Sequence, residues 1–266
     1  MITVKLHGGI GNNLFQIAAA TMLAKIHNTN ASCLMCKITR IETPMLLEKL
    51  KMNGIYKTNT EECNKFTETK FNFDENFFTL PNNTHLDGYF QSQKYFIDIK
   101  KEIKDIFSFK KDIYIETKKI NKDIYNDIIK GENSTGLHVR RSDYLLHKNV
   151  YAKLDVEYYQ RCLSKIKNKK QVYIFSDDIK WCRSNFIGSE YVFVKHPPIH
   201  SLLLMSNCDN LIIANSTFSW WGAWLGKEKN VFCPNRWFCE DWPHKEVHET
   251  IADCTKDMIP ESWDIC

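Results

Sequence analysis

Short apolar segments alternate with helix-like segments along the second half of this 266-residue chain. Strands are predicted at residues 137–140, 172–176, 192–194, 211–214 and 231–233, and helices at residues 156–166, 201–205 and 218–225. Strands that alternate with helices in this way form a parallel sheet whose faces the helices cover. The pattern therefore predicts an α/β fold, and the length suits one large domain or two small domains that share a cleft.

The N-terminal segment starts with the same pattern, whereas the middle of the chain is less regular. Residues 2–7 are predicted as a strand and residues 14–26 as a helix, because apolar side chains recur there near helical spacing. The clearest element of the middle segment is a helix predicted at residues 95–107. The polar segment 131–136 is predicted as the domain boundary, which gives domains of residues 1–130 and 131–266, with the last residues able to pack back on the first domain.

Composition excludes several classes of protein. The net charge is only +4 and acids are interleaved with bases, so the clustered basic stripe of a nucleic-acid-binding protein is missing from the sequence. No apolar run approaches the roughly 20 residues that cross a bilayer, and a strand is predicted directly after Met1. The ten cysteines are dispersed, which favours free thiols in a reducing compartment. We therefore expect a cytoplasmic protein without nucleic-acid partners, whose oligomeric state the sequence does not indicate.

Polar motifs follow four of the predicted strands at their carboxyl ends. They are residues 7–12 (His-Gly-Gly-Ile-Gly-Asn), 140–143 (Arg-Arg-Ser-Asp), 176–178 (Ser-Asp-Asp) and 215–217 (Asn-Ser-Thr). Ligands of open parallel sheets bind just beyond the carboxyl ends of the strands. The positions of these motifs therefore predict a ligand site built from several strand ends.

The glycine-rich motif lies between the first strand and the first helix. Gly8, Gly9 and Gly11 are predicted to turn with positive φ and to let a ligand approach the backbone, next to a helix N-terminus that attracts anions. Asn12 or Asn13 is predicted to cap that helix. A simple tight turn is the alternative, and the spacing departs from the dinucleotide-binding fingerprint, which disfavours an NAD-dependent enzyme.

Two adjacent arginines end the strand at residues 137–140. A guanidinium presents a planar fork of donors that matches phosphate oxygens, so the pair suits a pyrophosphate. Successive strand residues point to opposite faces, and only one of Arg140 and Arg141 need meet the phosphates. His138 shares a face with Arg140 and either lines the site or is a core histidine. A solvated arginine pair after an edge strand is the alternative.

The paired carboxylates of Asp177 and Asp178 allow two interpretations. One carboxylate can accept two hydrogen bonds from N1 and N2 of guanine, which would select a guanosine nucleotide. Alternatively, hard oxygen ligands suit magnesium or manganese. Because the chain has no Asp-x-Asp triplet and arginines already provide positive charge, we expect no metal.

A run of hydroxyl and amide side chains marks the junction between the strand at 211–214 and the helix at 218–225. Hydroxyls and free backbone N–H groups at such a junction can hold phosphate oxygens. The candidate ligands are Asn215, Ser216, Thr217 and Ser219. Three tryptophans follow at helical spacing, at 220, 221 and 224, and we expect core packing for at least two of them.

Four segments in this order resemble the inverting fucosyltransferase family that makes α-1,2-linked fucosides from GDP-fucose. They are residues 6–16, 138–143, 174–178 and 214–224, and the resemblance runs from residue 4 to about residue 240. One departure is visible, since the family usually has glutamine, methionine and phenylalanine where this chain has Asn13, Leu14 and Phe15. The change keeps a polar residue followed by an apolar one.

The resemblance implies a GT-B architecture, in which two Rossmann-like domains face a cleft. The first domain would bind the acceptor and carry the glycine loop, and the second would bind GDP-fucose. The implied enzyme is a galactoside α-1,2-fucosyltransferase, which moves L-fucose from GDP-β-L-fucose to a glycan hydroxyl, the 2-OH of a terminal galactoside, with inversion and without metal or other cofactor. The alternatives are another GDP-sugar, linkage or acceptor, or a non-catalytic relative that binds a glycan or a GDP-sugar.

By the same resemblance Arg140 stabilises the leaving group, while Arg141 holds Asp143 or the neighbouring loop. Asp143 is a candidate base or a structural partner of the arginines, and with Arg140 and His138 it completes the expected catalytic set. The expected donor-binding residues are Gly9, Gly11, Asn12, Arg140, Asp177, Asp178, Asn215, Ser216, Thr217 and Ser219.

Overall fold

A computed structural model describes residues 1–39, 47–52, 55–57, 64–147, 149–227, 229–239 and 255–266. The chain divides into two compact units. The first contains residues 1–110 and 253–260, and the second contains residues 111–252 and 261–266.

The first unit has a parallel sheet of five strands in the order β3-β2-β1-β5-β4. Its strands and helices are β1 (Ile2–Gly8), α1 (Ile10–Ile26), β2 (Ala31–Thr39), β3 (Ile55–Lys57), β4 (Asn64–Thr67), β5 (Thr84–Asp87) and α2 (Lys100–Ile106). Short 3₁₀ turns lie at Glu75–Thr79, Gln93–Tyr95 and Ile97–Ile99. Apolar side chains alternate with polar ones along β1: Ile2, Val4 and Leu6 are buried, whereas the residues between them are polar. Alternate strand residues face opposite sides of a sheet, so one face of β1 is apolar and the other polar.

The second unit has a parallel sheet of six strands in the order β11-β10-β9-β6-β7-β8. Its elements are α3 (Lys111–Ile120), α4 (Lys122–Ile129), β6 (Thr135–Val139), α5 (Val156–Lys165), β7 (Val172–Ser176), α6 (Ile179–Asn185), β8 (Tyr191–Val194), α7 (Pro198–Asn207), β9 (Asn210–Ile212), α8 (Thr217–Trp224), β10 (Asn230–Cys233) and β11 (Asp264–Ile265). Every residue of β6 is buried, as expected for a central strand that helices cover on both sides.

The division between the units differs from the predicted boundary at residues 131–136. Helices α3 and α4 belong to the second unit, where both pack against α7. One such contact joins Thr117 Oγ1 to His200 Nδ1 at 2.8 Å. Residues 131–134 of the polar segment therefore lead into β6, and residues 135 and 136 already belong to that strand. Of the described C-terminal residues, 255–260 belong to the first unit and 261–266 to the second.

Two helices begin at residues other than those predicted from the sequence. α1 starts at Ile10, because Gly9 is already its N-cap, whereas the helix was predicted from residue 14. The helix predicted at 95–107 is interrupted at Phe96, whose φ of −149° is not helical, so α2 begins only at Lys100. Phe96 and Tyr95 are both buried, and the packing of these rings in the core outweighs a continuous helix.

The structure also bears on the predictions about membrane-spanning segments and cysteines. Within the described part of the chain, no helix is long and apolar enough to cross a membrane. Free thiols are found at Cys33, Cys162, Cys182, Cys208, Cys233, Cys239 and Cys266.

Candidate active site

The strand order of the second sheet reverses next to β6. From β6 the chain continues to β7 and β8 on one side, and then crosses to β9, β10 and β11 on the other. A crevice opens where the helices that follow two neighbouring strands lie on opposite faces of the sheet. It lies at the carboxyl ends of those strands, and ligands of such sheets bind there. Arg140 follows β6 and Asn215 lies just beyond β9, so both motifs lie at this switch point.

Arg140 is held between two carboxylates at the end of β6. Its Nη2 lies 2.7 Å from Asp143 Oδ2 and its Nη1 lies 3.2 Å from Asp177 Oδ2. The guanidinium carbon lies 5.6 Å from the ring centre of Tyr144. Burial lowers the pKa of Arg140, but Asp177 and Asp143 outweigh it and the net shift is upward. The strand end therefore carries a permanent positive charge in a fixed orientation.

The side chain of Arg141 binds a carboxylate other than Asp143. Its Nε lies 3.3 Å from Asp178 Oδ2, and its guanidinium lies 4.1 Å from the ring centre of Trp181. Of the two predicted alternatives for Arg141, Asp143 binds Arg140 instead, whereas the contact with Asp178 joins Arg141 to a neighbouring loop. The two arginines lie just after β6, and their side chains bind different carboxylates. Trp181 was missed by the sequence analysis, although its position three residues after Asp178 marks a capped first turn of helix.

Both carboxylates after β7 have partners within the unit. Asp177 accepts hydrogen bonds from the backbone N–H of Arg141 at 2.9 Å and of Ser142 at 3.2 Å. Asp178 caps α6, since its Oδ1 accepts the N–H of Trp181 at 3.0 Å. These carboxylates fix the loop that follows Arg140. Guanine recognition by either one stays a prediction. The metal alternative is also open, although the described residues include no group of three or more His, Cys, Asp or Glu side chains that could hold a metal ion.

We expect Asp178→Ala to lower the free energy of unfolding by about 1 kcal/mol, the usual cost of losing an N-cap. Urea titration of the variant checks this. Asp155→Ala is the matched control, because Asp155 caps α5 in the same way through the N–H of Tyr158. The ratio of GDP affinity to UDP affinity distinguishes capping from guanine recognition. If Asp178 also binds guanine, this ratio falls in Asp178→Ala and stays unchanged in Asp155→Ala. An unchanged unfolding midpoint would contradict the capping role.

His138 is a buried residue of β6. Burial lowers its pKa to about 3, and the charge of Arg140 acts in the same direction, so the imidazole is neutral. Its ring centre lies 5.8 Å from that of Phe218, and Nδ1 has no hydrogen-bond partner among the described residues. These surroundings favour the core-histidine alternative over a catalytic role.

A tyrosine that the sequence analysis missed connects the arginine loop to the end of β9. The hydroxyl of Tyr144 donates to the carbonyl of Asn215 at 2.9 Å, and its ring stacks on Tyr151 at 3.7 Å and an interplanar angle of 5°. The Asn215 side chain donates to the carbonyls of Ala152 and Trp237, at 2.9 Å and 2.8 Å. Asn215 therefore holds together the loops around the strand end. The available signal was the tyrosine at the end of residues 140–144 (Arg-Arg-Ser-Asp-Tyr).

The first turn of α8 presents backbone N–H groups at the same switch point. Ser216 is the N-cap, and no side chain caps the helix there. Thr217 is partly exposed, whereas Ser219 is buried and its hydroxyl bonds to the carbonyl of Ser216 at 3.1 Å. Ser219 is thus turned toward its own helix, which disfavours the predicted phosphate contact. All three tryptophans of α8 are buried, which confirms their assignment to the core.

The glycine loop lies in the first unit, and only part of its prediction is correct. Gly8 has a φ of +79°, but Gly9 has a φ of −87° and Gly11 lies inside α1. Neither asparagine is the N-cap, since Asn12 also lies within the helix and accepts a hydrogen bond from the Gln91 side chain at 3.1 Å. Among the three glycines, Gly8 alone adopts a left-handed backbone, at the last residue of β1 and two residues before the helix begins.

The amides of α1 explain why asparagine and glutamine follow the glycines. Asn13 donates to the carbonyl of His7 at 3.0 Å and to Gln16 Oε1 at 2.9 Å. Gln16 Oε1 also accepts the N–H of His7 at 3.3 Å, and its Nε2 donates to the carbonyl of Gly88 at 3.0 Å. This buried network joins the end of β1 to the end of β5. Asn12 or Asn13 was predicted as the cap of this helix, whereas Gln16 had no predicted role.

Several known proteins are similar to this chain over all or part of its length. The family described as "Glycosyl transferase family 11" matches residues 1–252. An "O-antigen biosynthesis glycosyltransferase WbnK" of Escherichia coli is 36% identical over 129 residues, which is 43% of each protein. An "Alpha-1,2-colitosyltransferase" of Escherichia coli is 27% identical and the alignment covers 99% of this chain and 98% of the relative. A "Galactoside 2-alpha-L-fucosyltransferase SEC1" of Bos taurus is 24% identical over 88% of this chain and 67% of its own length.

Solved structures support the fold. "NodZ alpha-1,6-fucosyltransferase soaked with GDP-fucose" superposes with a TM-score of 0.55 at 13% identity, over 85% of this chain and 92% of that chain. The "fucosyltransferase NodZ from Bradyrhizobium" gives the same TM-score and covers 93% of that chain. The predicted α/β class, with Rossmann-like domains of the GT-B type, is confirmed. The matched family, the similar full-length relatives and the strand-end motifs agree, and the chain belongs to glycosyl transferase family 11.

Proposed function

We propose that this chain transfers L-fucose from GDP-β-L-fucose to the 2-OH of a terminal galactoside, with inversion and without a metal ion. The observation that carries the proposal is the position of Arg140 and the α8 N-terminus at the switch point of the second sheet. A fixed cation and the N-terminus of a helix at one strand edge suit the pyrophosphate of a nucleotide sugar. Membership of the family and the fucosyltransferase among the relatives support fucose as the sugar.

Arg140 supplies the main electrostatic effect in this scheme. As the bond between fucose and the β-phosphate breaks, negative charge grows on the departing phosphate. A cation that is already oriented stabilises this charge without reorganisation at the moment of reaction. Asp143 and Asp177 provide that orientation, since they hold the two ends of the guanidinium. Because the arginine provides positive charge at the phosphate, no metal is required for this role.

Inversion follows from a single displacement. The acceptor oxygen attacks the anomeric carbon on the side opposite the phosphate, so a β-linked donor gives an α-linked fucoside. The linkage of the product to galactose is checked by NMR of the purified oligosaccharide. A product linked through another hydroxyl would show that the acceptor position is not the 2-OH. The assignment of GDP-fucose as the donor would stand.

A second donor has a specific observation in its favour. The relative that aligns over 99% of this chain is described as an α-1,2-colitosyltransferase. Colitose is L-fucose without its 3-hydroxyl, so both sugars leave from GDP in the same way. A site that hydrogen-bonds the 3-hydroxyl of fucose would discriminate against colitose by leaving a polar group unpaired. Comparison of the two donors therefore identifies the natural sugar.

The test is calorimetric titration of the protein with GDP-fucose, GDP-colitose, GDP-mannose and UDP-galactose in excess chelator. We expect GDP-fucose to bind without metal and at least tenfold more tightly than UDP-galactose. Turnover with a terminal galactoside then distinguishes an enzyme from a non-catalytic binding protein. Absence of binding to every GDP-sugar, both in chelator and after addition of manganese, would contradict the proposal. Binding only with manganese would overturn metal independence alone.

A further inference from the structure

We infer that Tyr144 is a positioning residue of the proposed reaction, because its ring holds the guanidinium of Arg140 in the orientation that meets the leaving phosphate. The inference rests on the proposed function, since it adds a residue to that same site. Tyr144, Arg140 and the residues that hold them all belong to the second unit. A positioning residue acts through another group, so Tyr144 needs no contact of its own with the phosphate or the sugar.

The two carboxylates beside Arg140 restrain its guanidinium in only some directions. A guanidinium donates its hydrogen bonds within its own plane. Asp143 at 2.7 Å and Asp177 at 3.2 Å therefore restrain Arg140 mainly within that plane. The guanidinium carbon also lies over the ring of Tyr144, 5.6 Å from its centre. An aromatic ring attracts a cation at distances up to about 6 Å, so Tyr144 supplies a third restraint of a different kind.

The hydroxyl of Tyr144 fixes the far end of the ring. It donates to the carbonyl of Asn215 at 2.9 Å, and it also shares a hydrogen bond with the side chain of Ser216. Because the single O–H of Tyr144 is donated to Asn215, the Ser216 hydroxyl is the donor in the second bond. Both partners lie between β9 and α8. The ring therefore joins the strand end that carries Arg140 to the N-terminus of α8.

The bond with Tyr144 also accounts for the side chain of Ser216 at the start of α8. A serine at the N-cap usually accepts a hydrogen bond from a backbone N–H of the first turn. Ser216 is the N-cap, but its side chain makes no such bond. Its hydroxyl binds Tyr144 instead, and the first turn is left without a side-chain cap at the strand edge where Arg140 lies.

Two further aromatic rings support Tyr144. Tyr151 stacks on it, with the ring centres 3.7 Å apart and an angle of 5° between the planes. Phe238 stacks on Tyr151 at 6.1 Å, and the backbones of these two residues form an antiparallel bridge. A ring that is held at its hydroxyl and along one face cannot tilt freely. Tyr144 is thus a rigid support, which is what a preorganised cation requires.

The phenol carries no charge that would compete with a phosphate for Arg140. Burial raises the pKa of Tyr144, and Tyr151 and Asp143 add to the shift. The positive charge of Arg140 and the bond from Ser216 oppose it, but the net shift is upward. The hydroxyl is therefore protonated near neutral pH, and Tyr144 acts through packing and hydrogen bonding.

Tyr158 provides a matched comparison within the same unit. Its hydroxyl donates to the carbonyl of Ile213 at 2.7 Å, so it also binds the backbone just beyond β9. Its ring packs edge-on against Tyr159 at 4.9 Å. The two tyrosines share the bond from hydroxyl to carbonyl, whereas the contact with the guanidinium belongs to Tyr144.

The affinity for GDP relative to that for GMP reports on the orientation of Arg140. The terminal phosphate of GDP carries the charge that the leaving group develops, and GMP lacks this phosphate. Removal of a hydrogen bond to a charged group weakens binding about tenfold or more, so we expect Arg140→Ala to lower the ratio of GDP affinity to GMP affinity by at least that factor. A general loss of stability lowers both affinities alike and leaves the ratio unchanged.

Calorimetric titration of full-length variants with GDP and with GMP measures this ratio. We expect Tyr144→Leu to lower it about fivefold or more, as the loss of a partly desolvated cation–π contact predicts. Tyr144→Phe keeps the ring and loses its anchor, and should lower the ratio about threefold. Tyr158→Phe should keep the ratio within about twofold of the parent. The value of kcat for the proposed transfer should fall in the same order, with little change in KM for the galactoside.

A double variant shows whether Tyr144 acts through the arginine. In Arg140→Ala combined with Tyr144→Leu, the ratio should lie within about twofold of that in Arg140→Ala alone, because no guanidinium is left to orient. A further fall of about fivefold or more would overturn the inference, since Tyr144 would then affect phosphate binding by another route.

The same measurements distinguish failure of this role from failure of the proposed function. If the parent binds neither GDP-fucose nor GDP, the proposed function is wrong and the role of Tyr144 is wrong with it. If the parent transfers fucose but both Tyr144 variants keep the parental ratio, the proposed function stands and the positioning role is wrong. Thermal unfolding shows which variants are folded. Should Tyr144→Leu fail to fold, a ratio in Tyr144→Phe equal to that in Tyr158→Phe would overturn the inference.

Discussion

We expect Arg140→Ala to lower kcat for the proposed fucosyl transfer by a factor of about 10³ or more, the loss expected when a preorganised partner of the transition-state charge is removed. A factor of 10³ corresponds to about 4 kcal/mol of barrier. The loss should appear mainly in kcat, because charge on the leaving phosphate is greatest in the transition state. Arg140→Lys should recover only part of it, since an ammonium cannot reproduce the two-sided contact with Asp143 and Asp177.

Steady-state kinetics at saturating acceptor measures this effect. Arg183→Ala is the matched control, since Arg183 is an exposed arginine of the same unit that packs over Phe193 at 4.5 Å. It should keep kcat within about twofold. In Arg140→Ala, Asp143 and Asp177 lose the cation that both of them contact, which weakens the support of the loop. Thermal unfolding of the variant therefore distinguishes a loss of catalysis from a loss of loop structure. Turnover within tenfold of the parent would show that Arg140 does not stabilise the leaving group.

Trp220→Ala should lower the free energy of unfolding by about 3–5 kcal/mol, the range for removing a large aromatic side chain from a core. Trp220 is 1% exposed and contacts three other indoles. Its ring centre lies 5.1 Å from that of Trp221, 6.0 Å from that of Trp224 and 5.4 Å from that of Trp263. Residues 220–224 belong to α8, whereas Trp263 precedes β11, so the cluster also ties the end of the chain to the sheet.

Urea titration followed by tryptophan fluorescence and circular dichroism measures the loss. Trp220→Phe should cost less than Trp220→Ala, because a phenyl ring fills part of the space. Leu146→Ala is the surface control: Leu146 is 82% exposed, and its replacement should change stability by less than about 0.5 kcal/mol. A loss below 1 kcal/mol in Trp220→Ala would contradict the core assignment of this ring.

Sequence reasoning was most successful at strand ends. The alternation of apolar and helix-like segments located β6, β7, β9 and β10 to within a few residues and placed the arginine motif at a carboxyl edge. This works because alternation and helical spacing are local properties of each segment. The tryptophans of α8 were assigned to the core for the same reason, since large apolar side chains at helical spacing share one face of a helix.

Side-chain partnerships were not predicted, because the partners are far apart in sequence. Arg141 and Asp177 are separated by 36 positions, and Gln16 and Gly88 by 72. The contacts of Arg140 with Asp177, of Arg141 with Asp178 and of Gln16 with Gly88 depend on which strands become neighbours. The domain boundary depends on the same kind of information, since helices α3 and α4 join the second unit through contacts with α7.

The sequence by itself determined the α/β class, the family and the strand ends at which polar groups gather, because each of these is a short segment with its own periodicity or motif. Only the tertiary structure decided that Arg140 lies between two carboxylates and that Tyr144 joins this strand end to the segment before α8. The order of strands in a parallel sheet brings distant segments side by side, and that order is set by packing of the whole unit and not by any one segment.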